Sequence, residues 1–239
     1  MENKNIILLK KRGGYYSEQC ASFEDYDRIN VTSGAKDKQA AHDLSPFFLG
    51  PIVTPDGIES LNLENLWQYS KVYPLIFNEE LDVVRGVDKN NDPTPDFFEW
   101  RKRFLKSVKA DRHPSLPKSI TGKDCLYSVY YNKEEKKWEK LDYISARKKI
   151  YIPEYAKLVA STVTYKNLKE RVDKGDKIAL VDYDAWNYYG KDMDSKVVMK
   201  DVVNNPSIKL GHGFVIKMLL QGDIEVKGGV VIDNVGLLK

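Results

Sequence analysis

Three short stretches set side chains at spacings that could do chemistry. In the run 64–71, Glu64, Gln68 and Lys71 recur at i, i+4 and i+7. On a helix these positions share a face, so a carboxylate, an amide and an ammonium form one polar stripe with Trp67 beside it. Such a stripe could hold a phosphorylated sugar and activate a water. It could equally be a solvated face stabilised by helical pairs, although Trp67, Tyr69 and Tyr73 make it richer in aromatics than most. Asp182-Tyr183-Asp184-Ala185-Trp186 follows an apolar run at 178–181 that reads as a buried strand. Two carboxylates at a strand end suit acid–base work or a divalent ion; an acidic turn capping the next segment is the plainer alternative. In Leu210-Gly211-His212-Gly213-Phe214, two glycines let the backbone of a helix start approach a phosphate. His212 could donate to that phosphate, act as a general acid, or be a satisfied structural histidine. Arg112-His113 and Ala146-Arg147-Lys148-Lys149 could meet a pyrophosphate, with Lys148 and Lys149 reading better as a solvated face.

The elements that must position these groups follow from punctuation and period. Residues 6–9 read as a short strand closed by Gly13-Gly14. Residues 44–57 are an ordered apolar loop or a pair of short strands, because their prolines and glycines forbid a helix. Ser60 or Asn62 can cap a helix that runs to Tyr73 before Pro74. Residues 78–96 read as a turn-rich excursion. The spacing of Phe97, Trp100, Phe104 and Val108 predicts a helix over 97–110. Residues 126–143 alternate about a charged turn and predict a hairpin. A long helical stretch from 145 is divided at Pro153 and ends at Gly175. An apolar helix after residue 210 and two short strands around Gly228-Gly229 complete the chain. Helices and strands do not alternate regularly, so the expected class is α+β, mainly helical with short strands.

Bulk properties narrow the function. The chain has 239 residues, 42% hydrophobic and 31% charged, which supports one large packed domain over 1–239. A net charge of +3, from 38 basic and 35 acidic side chains, is too even for a dedicated nucleic-acid binder. Cys20 and Cys125 have no CxxC spacing, so neither a disulfide framework nor a zinc site is expected. The apolar run at 6–9 is too short for a signal core, and no run approaches a membrane span. A cytoplasmic chain that does not enter membranes is the expectation. Walker A, GxGxxG, GxSxG and HExxH patterns are absent.

In their order along the chain these motifs resemble the NADAR family. The residues 44–51, LSPFFLGP, are similar to that family's opening segment. Glu64, Gln68 and Lys71 match its Glu-x-x-x-Gln-x-x-Lys helix, Ala110-Asp111-Arg112 resembles its middle Ala-x-Arg, and residues 182–186 and 210–219 resemble its terminal pair of motifs. The resemblance covers roughly residues 40–222 and is most specific at the Glu-x-x-x-Gln-x-x-Lys helix. The chain departs at Asn65, where a histidine or tyrosine is more usual. Asn187 follows Trp186 without the expected glycine, and His212 is an addition after Gly211. The segments 78–96 and 126–143 look like insertions. The resemblance implies an N-glycosidase cleaving a ribosyl N-glycosidic bond. The substrate would be an ADP-ribose-like or ribose-phosphate small molecule, or ADP-ribosylated DNA, with no cofactor and no metal. It gives Glu64 the charge-stabilising carboxylate role, with Asp182 or Asp184 as the second choice. Lys71, Arg112 and Arg147 would hold phosphate, Gln68 sugar hydroxyls, and Trp67 and Trp186 the base or ribose. Gly211 and His212 would line the phosphate end. A non-catalytic binder of ADP-ribose or a related nucleotide, and an accessory protein acting on modified DNA, are the alternatives. The oligomeric state is not legible.

Overall fold

Residues 5–11, 23–185, 199–207 and 209–239 are described by the computed structural model. Cys20 and Trp186 lie outside the described residues. In chain order, strands β1 (Ile6–Lys10) and β2 (Asp27–Asn30) precede helix α1 (Lys38–Leu44), whose N-cap Asp37 accepts from the amides of Gln39 and Ala40. Strands β3 (Ile52–Val53) and β4 (Glu59–Ser60) lead to α2 (Leu63–Tyr69). Three short strands follow: β5 (Lys71–Val72), β6 (Leu75–Phe77) and β7 (Val83–Arg85). Helix α3 (Pro95–Leu105) starts on a Thr94 cap with proline in its first turn, where a missing N–H costs nothing. Strands β8 (Tyr127–Asn132) and β9 (Lys137–Leu141) come next, then α4 (Tyr143–Ala146) and one π-helical turn (Arg147–Tyr151). Helices α5 (Ile152–Ser161) and α6 (Val163–Asp173), strand β10 (Ile178–Asp182), and helices α7 (Met199–Asn204) and α8 (His212–Gln221) lead to strands β11 (Ile224–Lys227) and β12 (Val230–Asp233).

The class is mixed α and β, with several small sheets instead of one large one. Among the described residues no helix is long and apolar enough to cross a membrane. The chain divides into two compact units, Met1–Leu49 with Ile152–Lys239, and Gly50–Tyr151. In the first unit β10 is the central strand of a parallel sheet ordered β1-β10-β2, pairing Lys10 with Asp182 and Val181 with Asn30. Ile7, Leu9, Ala179 and Val181 pack one face against Phe23 and Tyr26. Helix α8 contacts both β1 and β10, and α5 packs against α8. In the second unit β8 joins β5 and β9 in an antiparallel sheet. There α2 packs on α3, where Tyr69 stacks on Phe104 with centroids 4.5 Å apart.

Several elements differ from the expectation. The second helix stops at Tyr69 because residues 71–72 pair with β8 instead, Lys71 opposite Ser128. The third helix starts two residues early at Pro95 and ends at Leu105, so Val108 is not on its inner face and is 86% exposed. The excursion at 78–96 contains half of a hairpin, β6 with β7. Pro153 sits in the first turn of α5, directly after the π-helical turn. The full interruption falls at Thr162, whose hydroxyl accepts from the Tyr165 amide to start α6. The helix-ending role of Gly175 holds, at a φ of +96°, as do the hairpin over β8 and β9 and the turn at Gly228-Gly229.

Candidate functional site

Helix α2 is short, and its register follows from its cap. Asn62 Oδ1 accepts the Asn65 amide at 2.8 Å, satisfying a first-turn donor. Leu63, Leu66 and Tyr69 are buried apolar positions, and the remaining face carries Glu64, Asn65 and Gln68. All three of these polar side chains are buried, Glu64 at 8% exposure. A solvated helical face is therefore not what the sequence encodes here.

A continuous segment running on from the last turn of α3, residues 104–115, closes over that polar face. Asn65 Nδ2 donates to the carbonyls of Phe104, Ser107 and Lys109 at 3.2, 3.1 and 2.9 Å. Its Oδ1 accepts the Asp111 amide at 2.8 Å. Tyr69 donates to Asp111 Oδ2 at 2.6 Å and accepts the Ser115 amide at 3.2 Å. Burial, and then the Asp111 carboxylate, hold the Tyr69 hydroxyl far above the usual phenol range.

The three stripe residues join in series. Gln68 Nε2 donates to Glu64 Oε1 at 2.7 Å and to the Arg112 carbonyl at 2.9 Å. Lys71 Nζ donates to Gln68 Oε1 at 2.8 Å. Although β5 replaces the last turn of the expected helix, the ammonium still reaches the amide. Both hydrogens of the Gln68 amide are committed within the protein, so its part is to tie Glu64 to the 104–115 segment; only a carbonyl lone pair is left for a sugar hydroxyl. Lys71 also lies over the Trp67 ring, 4.7 Å from its centroid. Burial pulls the Lys71 ammonium down to about 8, against the upward pull of nearby Cys125 and Glu64. The Cys125 thiol is pushed up, also by burial.

Trp67 connects this chain to a second cation. Its ring lies 5.2 Å from Tyr151 and 6.1 Å from Tyr143. Arg147, 1% exposed, sits with its guanidinium carbon 4.1 Å from the Tyr143 centroid, a cation–π distance. Arg147 opens the π-helical turn that ends at Tyr151; such turns recur at functional sites because they re-aim side chains. Arg112 contributes its carbonyl to Gln68, and its side chain is exposed. The second unit thus brings together Glu64, Trp67, Gln68, Lys71, Arg147 and the Arg112 backbone. Asn65, Tyr69, Tyr143 and Tyr151 were not singled out by spacing. Arg147 stands out in the sequence only through its basic cluster; its i, i+4 separation from Tyr143 is the signal that could have found the pair, whereas Asn65 lies three residues from its cap, a position periodicity does not mark.

The other candidates belong to the first unit. Asp182 ends the central strand, is buried, and accepts the Gly213 amide at 2.9 Å. It therefore caps the first turn of α8 from outside that helix. His212 Nε2 donates to the Val31 carbonyl at 2.8 Å, and its Nδ1 lies 3.5 Å from Asp182 Oδ2. Gly211 is needed where it stands, since a Cβ there would lie 2.5 Å from Asp182 Oδ2 and 3.0 Å from Asp184 Cβ. Asp182, Asp184, Gly211 and His212 thus gather at the junction of strand end and helix start, with Asp182 and His212 engaged in internal bonds. Among the described residues no group of three or more His, Cys, Asp or Glu could hold a metal ion. No protein-family model, curated protein or solved structure matches the chain.

Proposed function

We propose that the second unit carries an N-glycosidase site that hydrolyses a ribosyl N-glycosidic bond in a phosphate-bearing substrate, of the ADP-ribose or ribose-phosphate kind. The observation that carries the reading is the series Glu64–Gln68–Lys71, buried at Glu64 and Gln68 and half-buried at Lys71. It combines a carboxylate, a fixed amide and a cation within a few ångströms, beside aromatic rings and a second cation, the buried Arg147. The order of motifs that resembles the NADAR family, most specific at this same helix, accords with it.

As the C1′–N bond breaks, positive charge builds on the ribose ring. The Glu64 carboxylate stabilises that charge and orients the attacking water. The water oxygen bonds to C1′, one of its protons passes to Glu64, and the departing base nitrogen takes a proton in turn. Lys71 and Arg147 supply positive charge for phosphate oxygens. Trp67, with Tyr143 and Tyr151 around it, offers ring faces for a base or ribose.

The test is incubation of the purified chain with an ADP-ribosylated DNA oligonucleotide, with NAD and with a ribosylaminopyrimidine phosphate, following base or sugar release by mass spectrometry. Glu64→Gln should lower release at least about a hundredfold while leaving the circular dichroism spectrum unchanged. Full activity in Glu64→Gln refutes the assignment. Thermal stabilisation by these ligands without turnover leaves a binding module instead.

A further inference from the structure

The polar face of α2 does not cover itself. It is closed by the 104–115 segment, and one side chain makes more of that closure than any other. Asn65 is fully buried. Its amide nitrogen has two hydrogens and meets three carbonyls, so at least one hydrogen is shared. Its oxygen takes the Asp111 amide. No other side chain of this size offers two donors and an acceptor in one plane. Asn62 adds a longer bond to the Ser107 carbonyl at 3.4 Å, and Tyr69 grips Asp111 and Ser115 further along. The carbonyl that follows this clasp, Arg112, is the one that accepts the second hydrogen of Gln68. With that carbonyl in place the amide cannot rotate, so its nitrogen faces Glu64 and its oxygen faces Lys71.

We propose that Asn65 is a positioning residue: by clasping the 104–112 segment onto α2 it delivers the Arg112 carbonyl to Gln68 and thereby fixes the orientation and burial of the Glu64–Gln68–Lys71 series. Its bearing on catalysis rests on the function proposed above, but the arrangement itself can be tested without turnover.

The readout is the ionisation of Lys71. Its neighbours are the Trp67 ring, the Gln68 carbonyl, Glu64 and the Cys125 thiol, and burial holds its ammonium near 8. Loss of the clasp opens this pocket to water and lets the amide swing, so the ammonium returns toward its ordinary range. Lys71 acylation by a water-soluble succinimidyl ester, followed peptide by peptide by mass spectrometry between pH 6 and 11, measures that midpoint in the whole chain. The wild type should give a midpoint near 8. Asn65→Asp, which removes both donors but keeps the volume, should move it up by about one unit or more; because the new carboxylate would by itself raise Lys71, the uncharged Tyr69→Phe must move the midpoint in the same direction. Tyr69→Phe keeps the ring on Phe104 and removes only the Asp111 and Ser115 bonds. It should move the midpoint the same way by less, and it stands in if Asn65→Asp does not fold. An unchanged midpoint in a folded Asn65→Asp, or in Tyr69→Phe, overturns the proposal, because a residue that merely stabilises the unit would not tune Lys71. In release assays, Asn65→Asp should lower kcat more than tenfold with little change in KM. A shifted midpoint with no wild-type turnover would sustain the clasp and refute the glycosidase. Turnover with an unchanged midpoint would do the reverse.

Discussion

Replacing Lys71 with methionine should change how stability responds to pH, in a direction and window fixed by the site. Unfolded, the ammonium titrates at its usual 10.5; folded, burial brings it to about 8. Between those values the unfolded chain binds more protons than the folded one, so stability must rise with pH there. Below about 8 both states hold the proton and the penalty for the buried charge is fully present; above the unfolded value it has vanished. The gap corresponds to about 3 kcal/mol as a ceiling, and the partial exposure of Lys71 will bring the measured figure below it. The assay is urea unfolding of wild type and Lys71→Met from pH 7 to pH 10, both carrying Cys125→Ser so that the adjacent thiol does not titrate in the same range. The other titrating groups are common to both proteins and cancel in the difference. Wild-type stability minus variant stability should climb by about 1–3 kcal/mol across this window. A flat difference would refute the buried, charge-penalised amine and with it the closed state of the α2 face.

Three further outcomes are expected. Glu64→Gln should remove release activity without unfolding the chain, as set out above. Asp56→Ala should cost about 3–5 kcal/mol in denaturant unfolding, because it strands the Arg101 guanidinium, 3% exposed and otherwise held by both Asp56 oxygens at 2.7 and 3.1 Å. Asp56→Ala with Arg101→Met should recover much of that loss, and a double variant no better than the single one would show that the pair's charge is not what matters. Gly211→Ala should lower stability by about 1–3 kcal/mol through overpacking, since its new methyl group would meet the Asp182 carboxylate at 2.5 Å. A wild-type thermal midpoint in Gly211→Ala would mean that α8 can slide off the strand end freely.

What was legible in the sequence follows a physical line. Local signals carried through: a cap at Asn62, one of the two positions expected, the strand expected at 178–181, the charged hairpin of β8 and β9, and the Gly228-Gly229 turn are each set by residues within a few positions of one another. Signals that depend on distant pairing did not. Lys71 and Val72 continue an apparent helical period, yet they leave the helix because β8, more than fifty residues later, offers them a ladder. The β2 strand, DRIN, has no apolar alternation of its own and exists because β10 pairs with it. In the site, the spacing of Glu64, Gln68 and Lys71 was visible, but whether they faced water was not. That was decided by carbonyl groups of residues 104–112, which carry no side-chain signature at all.

This last point bears on why the α2 face is built as it is. A seven-residue helix stabilised for its own sake would present leucine or alanine to the 104–115 segment, because buried polar groups at best recover their lost hydration. Here Asn62, Glu64, Asn65 and Gln68 are all buried on it. The asparagines are explained by the segment they clasp, and Gln68 by the carbonyl and carboxylate it joins. Glu64 and Lys71 are explained only in part: each holds one end of the Gln68 amide, at 2.7 and 2.8 Å, yet apolar residues of similar volume would remove two charges held largely out of water. Charged groups kept at a cost to stability, with one titration pulled toward neutrality, accord with the reacting site proposed above. If Glu64→Leu with Lys71→Met stabilises the chain while abolishing ligand binding or turnover, that asymmetry between stability and function is real. If the double substitution unfolds the chain, the two charges belong to the architecture after all.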